Sequence, residues 1–561
     1  MSSSSETVSN LDSLPGQKMA ASEVLLLCCS VVSLITSCML WSSRKQAWMD
    51  EILTWKEVSD RSLWHLYYAI QHGADGGQPL FYTTAWLWAK AFGTGVLTLR
   101  LYSSVAMCAA LLVTWGTVRR FYGLWATAFG VLTIWGTSGV LLDQNAEARF
   151  YGLYMLTVAV TFNIYARLAA GPVPTTRFLV LALFSQAALV LTHALGLIYS
   201  GLILLALILS DVAKRRVRIK VYLFYAAGWL ALLVWVPAIR ASIAAGKPHG
   251  WIPLPHLGTA LRSYFFEDYA EWVALLQRHS DGLISQIAGW AADLVILLAL
   301  AIVVLETIRR FINSRGRSES NSDNPLLLVS FALLAMPILL YLLSHLVTPV
   351  FLPRYLLPSG IGMAIILTVF ADAIGSDRRP PLRWARWLWT STAVLLVISP
   401  VGSALVLRPP LANSMYLDVQ RLDALLPRGI PLVAGWQNDF ETLMRFSRYP
   451  ENRFYLLDWP TALVGPRELV LDYHLMWAYR DAGYYAQSIQ DRDAFFCSHR
   501  DFFVLDSRFL AHAQDPSWFD LAIGKTPQFE WKVVDSSFGP GFQRKLISVH
   551  RRAPLPFCSR S

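Results

Sequence analysis

Apolar residues run in blocks of about twenty along most of the chain, with short polar or basic segments between them. The blocks cover about 22–41, 98–118, 122–141, 150–169, 177–192, 194–211, 220–239, 286–308, 325–347, 355–373 and 387–406. Helices of that length cross a hydrocarbon core of roughly 30 Å. The pattern therefore predicts eleven transmembrane helices over residues 22–406, after a polar N-terminus at 1–21. No small-residue cleavage site follows the first block, so it reads as an anchor and not as a signal peptide.

Residues 79–93 are apolar but short for a crossing. They are expected to lie flat at the interface as an amphipathic helix, with Trp86 and Trp88 as anchors. Residues 42–97 and 240–285 then form two large outer loops. Beyond residue 407 the pattern turns mixed and polar. Short β-type runs at Pro431–Ala434, Phe502–Leu505 and Lys545–Val549 alternate with helix-like stretches, which predicts a small α/β domain over 407–561.

Basic residues orient the bundle. With the N-terminus in the cytoplasm, the inner loops carry Arg119 and Arg120; Arg167 and Arg177; Lys214 to Lys220; Arg309 to Arg317; and Arg378 to Arg386. Translocating such loops is unfavourable, so they stay inside, and the two large loops and the C-terminal domain are expected outside the cytoplasmic membrane. Composition agrees: of 561 residues, 55% are hydrophobic and only 15% charged, and mean hydropathy is +0.42. The net charge of +10 sits in the short inner loops, which excludes a nucleic-acid reading. Among the six cysteines, Cys28, Cys29, Cys38 and Cys108 fall in apolar runs and read as small buried hydrophobes. Cys497 and Cys558 lie in the outer domain and are candidates for a disulfide.

Polar residues with chemical potential gather at the outer ends of the spans. Asp50 and Glu51 follow the first span; adjacent carboxylates need a cation, a metal or a catalytic duty, or else they simply begin a helix whose dipole favours them. A divalent cation centred on Asp50 stays open. Asp143, Glu147 and Arg149 crowd the mouth between the third and fourth spans, either as a cap with an ion pair or as a functional group. His193 with Thr192 stands between two spans, as a hydrogen-bonded structural residue or a cavity group. Arg354 lies on the outer side, where the positive-inside rule does not place it, and an arginine there can grip a phosphate.

Six segments in order carry a resemblance: Asp50-Glu51, Gly77-Gln-Pro-Leu-Phe-Tyr82, Leu99-Arg-Leu-Tyr-Ser103, Asn145-Ala-Glu-Ala-Arg-Phe-Tyr151, Thr192-His193 and Pro353-Arg-Tyr-Leu-Leu-Pro358. Over residues 22–375 the chain resembles GT-C glycosyltransferases, in particular the bacterial protein-mannosyltransferase-like and aminoarabinose-transferase-like group. The resemblance implies transfer of a sugar from a polyprenyl-phosphate carrier to a lipid, glycan or protein acceptor on the outer face, by a single inverting displacement. Asp50 is then the catalytic carboxylate and Glu51 its neighbour in acceptor or metal contact. Glu147 and Arg149 line the donor cavity with Asp143 and His193, while Arg354 and Tyr355 meet the donor phosphate. Gln78 stands where the group usually has His or Lys, and Ala146 where it usually has Gln. A transporter would share the spans and outer charges but would show half-to-half repeats or midplane ionisable residues. A membrane scaffold would leave the outer charges dispensable.

Overall fold

In a computed structural model, the chain is described at residues 19–171, 174–244, 252–263, 301, 305, 325–375, 383–406, 416–465, 467–509, 516–536, 538–539 and 542–558. The predicted span at 286–308, apart from residues 301 and 305, and most of the second loop expected outside lie beyond these residues, as do several of the basic inner-loop arginines.

Ten of the apolar blocks become helices. Among the described residues, six helices are long and apolar enough to cross a membrane: Ala21–Ser42, Val96–Val118, Tyr151–Ala170, Gly196–Ala213, Ile219–Ala241 and Pro325–Leu346. Three shorter apolar helices, Thr176–Val190, Ser359–Ala373 and Thr390–Leu405, match three more blocks. The span expected over 122–141 is not continuous: Leu124–Thr137 and Gly139–Asn145 meet at a bend of 64°. Ser138 causes the break. Its backbone is extended, and its hydroxyl accepts from the Leu141 N–H to start a new helix.

The bundle is numbered from its start: α1 (Ala21–Ser42), α2 (Met49–Val58), α3 (Leu63–Gln71), α4 (Pro79–Phe92), α5 (Val96–Val118), α6 (Leu124–Thr137), α7 (Gly139–Asn145) and α8 (Tyr151–Ala170). Each long helix buries one side and leaves apolar residues such as Leu25, Val32, Leu112, Phe184 and Leu205 exposed. Water would penalise such a surface and lipid does not. For the same reason Cys28 and Cys29 depart from expectation. They are exposed on the outer side of α1, while Cys38 and Cys108 are buried. Small residues set the closest packing: a Cβ on Gly152 of α8 would stand 2.1 Å from the Ser103 carbonyl oxygen of α5, so only glycine lets these helices meet.

The segment between α1 and α5 is helical. α4 starts with Pro79 in its first turn and ends at Gly93, whose φ of +93° no side chain favours. Trp86 and Trp88 are half-buried, and their indole N–H groups donate to the Asp60 and Thr98 carbonyls. On the opposite side of the bundle, the basic run after Gly196–Ala213 is built into the protein. Arg216 and Arg218 pair with buried Asp211, and together with Lys214 they donate to the last carbonyls of α8.

The C-terminal part forms one six-stranded sheet in the order β3-β2-β1-β4-β6-β5. Its strands are β1 (Leu432–Ala434), β2 (Arg453–Leu457), β3 (Ile489–Asp491), β4 (Asp501–Phe509), β5 (Phe529–Ser536) and β6 (Phe542–Arg551). β1 to β4 pair in parallel, and β6 runs antiparallel between β4 and β5. The three predicted runs became β1, β4 and β6; the other three strands were not foreseen. The core of this domain also takes in Leu53 of α2, Ala69 of α3 and Ala74, so the sheet domain is packed onto the first outer loop.

Cys497 and Cys558 are joined by a disulfide across a sequence separation of 61. Closing a loop of that length restricts the unfolded chain by about 4 kcal/mol. Cys497→Ser is expected to lower the melting temperature of the outer domain, and adding reductant to the native protein should reproduce the shift in a calorimetric scan.

Candidate active site

Glu51 and Asp50 are neighbours on one helix with opposite fates. Successive helical residues point about 100° apart, so one side chain of the pair enters the bundle while the other looks away. The Glu51 carboxylate, 1% exposed, receives both arms of Arg100 from α5, Nε to Oε1 and Nη2 to Oε2, each at 2.7 Å. The Ala148 N–H adds a third bond at 2.9 Å. Both oxygens are thus engaged inside the protein. The contact with acceptor or metal expected of Glu51 is at odds with this geometry, because a carboxylate with no access to the cavity cannot reach either. Burial raises its pKa, and Arg100 and Lys45 overcome that and hold it below the usual carboxylate range.

Asp50 is different. Its carboxylate is 15% exposed and lies 3.9 Å from Arg149 Nε and 3.9 Å from Arg354 Nη2. These distances fit attraction without a formed hydrogen bond. The three expected side chains are brought together from three places: α2, the turn before α8, and the 3₁₀ turn Pro353–Leu356.

Each arginine is held from its other side. Arg149 Nη1 donates to the Asp50 carbonyl, to Thr54 Oγ1 and to Asp75 Oδ2 at 3.1, 3.0 and 3.2 Å. Arg354 lies over the rings of Trp48, Tyr151 and Tyr355 at 5.6, 6.0 and 5.9 Å. Its Nε, like that of Arg149, is buried with no hydrogen-bond partner. Both guanidinium groups therefore keep an unused donor.

Glu147 does not pair with Arg149. Its Oε1 accepts from Lys45 Nζ at 2.7 Å and from the Trp48 indole at 3.1 Å, and Lys45 also meets Asp143 at 3.2 Å. Asp143 lies at the rim with its carboxylate half-exposed. Burial drives the Glu147 carboxyl up to about 7 against the pull of Lys45. His193 accepts the Leu195 N–H at Nδ1 and is surrounded by Tyr154, Phe150 and Tyr355 at 4.7, 4.8 and 5.2 Å between ring centres. It supports the ring of Tyr355, next in sequence to Arg354. Gln78 is buried at the N-terminus of α4, with its Oε1 unpartnered.

Sequence reasoning missed three contributors. Lys45, just after the first span, is buried and pairs with Glu147 and Asp143. Asp75 sits in a glycine-rich turn, where an aspartate usually serves the turn itself; here it does so through the Gly77 N–H, and also accepts from Tyr82 and Arg149. Glu57 is buried at the seam with the outer domain, where Tyr479 donates to it at 3.4 Å. The charged groups nearest Asp50 are two arginines, and among the described residues no group of three His, Cys, Asp or Glu side chains is placed to hold an ion.

Next to Pro353 a narrow, mainly apolar crevice of about 20 Å³ opens at the α6–α7 bend, lined by Ile134, Val140, Leu141, Pro353, Leu356 and Leu357 among others.

No protein-family model matches the sequence, and no curated protein matches it. Solved structures do. ArnT from Cupriavidus metallidurans in the apo state superposes with a TM-score of 0.54 at 12% identity, covering 96% of this chain and 100% of its own. The same protein bound to undecaprenyl phosphate gives 0.50 at 13% identity, with 94% and 98% covered. The Archaeoglobus fulgidus oligosaccharyltransferase gives 0.46 at 10% identity over 88% of this chain and 74% of its own. The superposition on ArnT shows that the two chains share a fold, a helical bundle carrying a small C-terminal sheet domain.

Two outcomes follow from the charges. Glu51→Gln removes the charge opposite buried Arg100, which costs roughly 3–5 kcal/mol; thermal unfolding in detergent should show it as a large loss of stability. Glu57 and Glu441 are both buried, and their carboxyls lie well above the usual range, first because of burial, then because of acidic neighbours including Asp75. A folded pKa above the unfolded value means their stability is full below about pH 4 and is lost as pH rises toward the folded pKa. The melting temperature should fall with alkalinity, and the variant with both Glu57→Gln and Glu441→Gln should show a flatter profile.

Proposed function

We propose that this chain is a membrane glycosyltransferase that moves a sugar from a polyprenyl-phosphate donor to a hydroxyl-bearing lipid, glycan or protein acceptor on the outer face of the cytoplasmic membrane. The observation that carries the reading is the Asp50 carboxylate set between two arginines, each with a buried donor nitrogen unused. ArnT has been solved with undecaprenyl phosphate bound, and this chain shares its fold.

The chemistry needs three things at one place: cations for a phosphate, an apolar path for a lipid, and a base. Arg354 and Arg149 supply the first. A phosphate entering between them satisfies the idle donors and draws the guanidinium groups away from Asp50, whose carboxylate is then free to accept a proton. The apolar walls beside Pro353 and the apolar side chains exposed along the long helices give an isoprenoid chain a surface to lie against. Asp50 takes the proton of the acceptor hydroxyl, the acceptor oxygen bonds to the anomeric carbon, and the bond from that carbon to the phosphate oxygen breaks. The polyprenyl phosphate leaves as an anion already neutralised by the arginines, so acid assistance is unnecessary. Attack opposite the leaving phosphate inverts the anomeric carbon. Glu51, with Arg100, positions Asp50 and stays out of the reaction.

The outer location rests on the basic inner loops and on the Cys497–Cys558 disulfide, which persists in an oxidising compartment. The assay is transfer of labelled sugar from a panel of undecaprenyl-phosphate-linked sugars to isolated envelope fractions by protein in proteoliposomes. Asp50→Asn should reduce turnover by about 10²–10⁴-fold with the melting temperature unchanged; an Asp50→Asn protein with full turnover would sink the reading.

A further inference from the structure

α2 has only ten residues, too few to hold its shape alone in water, and its N-cap residue Trp48 offers no side-chain oxygen to the open backbone N–H groups. Asn438 takes that place from the outer domain. Its Oδ1 accepts the Met49 N–H at 2.9 Å, one residue before Asp50, and the amide is 1% exposed. The other half of the amide, Nδ2, is buried without a partner. An amide buried with its donor idle is costly, so the acceptor oxygen is the part that matters here.

The rest of the first outer segment is docked on the same domain. Gln46 exchanges two hydrogen bonds with the Leu417 backbone, at 3.0 and 3.2 Å. Leu53 is buried in the outer domain's core, Arg445 lies 4.1 Å over the Trp55 ring, and Lys56 lies 4.3 Å over Tyr485. Most of these contacts fix where α2 lies. Of these contacts with the C-terminal domain, the Asn438 bond is the one made on the first turn of α2, next to Asp50.

We propose that Asn438 is a positioning residue for Asp50, which makes the C-terminal domain a working part of the active site. The inference rests on the reading of Asp50 as the base. With the oxygen present, the first turn of α2 is closed and the carboxylate is fixed between Arg149 and Arg354. Without it, the Met49 N–H is left open, the turn loosens, and Asp50 spends less time at the reacting hydroxyl. Donor binding depends on the two arginines, which stand outside α2, so it is spared.

The test compares Asn438→Ala, Asn438→Asp and Arg445→Ala with the native protein, using the undecaprenyl-phosphate-linked sugar that the native protein turns over. Rates are normalised to folded protein by thermal melts. Asn438→Ala should lower kcat by roughly 10- to 100-fold, with donor KM within about twofold. Asn438→Asp keeps an acceptor oxygen at a helix N-terminus and should restore most of the rate. Arg445→Ala removes a docking contact at the far end of α2 and should lower the melting temperature while leaving kcat unchanged. Native kcat in Asn438→Ala, equal impairment of Asn438→Asp, or an equal loss in Arg445→Ala would each overturn the proposal. Turnover by Asp50→Asn would instead refute the underlying reading, whereas an inert Asp50→Asn beside an unimpaired Asn438→Ala would refute this inference alone.

Discussion

The pair between Glu51 and Arg100 joins three separate parts of the chain at one buried point: α2, α5 and the turn before α8. Burying two charges is repaid only when the geometry is close to ideal and the remaining lone pairs are filled. Both conditions hold, with two parallel bonds from the guanidinium and a third from a backbone amide. Once Glu51 is fixed in the bundle, helical geometry decides the direction of Asp50. The acid beside it must face the space in front of Arg149 and Arg354, and every functional statement about the site depends on that direction.

The charges near Asp50 fall into two kinds. Arg100 with Glu51 is a closed pair, and Lys45 with Glu147 and Asp143 is a second cluster, in which Glu147 Oε2 is left without a partner; both brace the short segment leaving α1. Arg149 and Arg354 are open. They are steadied by Asp75 and by aromatic faces, and each retains a buried donor nitrogen. That division separates framework from working surface: a group whose hydrogen bonds are already complete has little to offer a substrate, whereas an unsatisfied cation in a dry site gains much from an incoming anion.

The C-terminal domain enters the site through α2. The helix lies between the bundle and the sheet domain, with Glu51 turned toward one and Leu53 toward the other. Such a splint transmits the position of each part to the other. It also explains why the seam tolerates buried acids: Glu57 and Glu441, raised well above the usual carboxylate range, can sit there as neutral carboxyls.

Hydropathy alone determined the membrane class, the positions of ten described helical blocks and the change to a mixed domain after residue 407, because lipid acts on local composition. Basic loops carried the expected orientation, and three of six strands were visible as β-type runs. The candidate site was legible in part. Asp50, Arg149 and Arg354 stood out as polar residues at outer span ends, and they do converge. Tertiary structure alone decided the rest. It gave Glu51 to Arg100 and Glu147 to Lys45, both pairings separated by about a hundred residues or half that in the chain. It also bent the third span at Ser138 and brought Asn438 to Met49 across a separation of 389. The physical reason is the range of the forces: burial in lipid is read along a segment, whereas a charge or an amide finds its partner only when distant segments have been packed against each other.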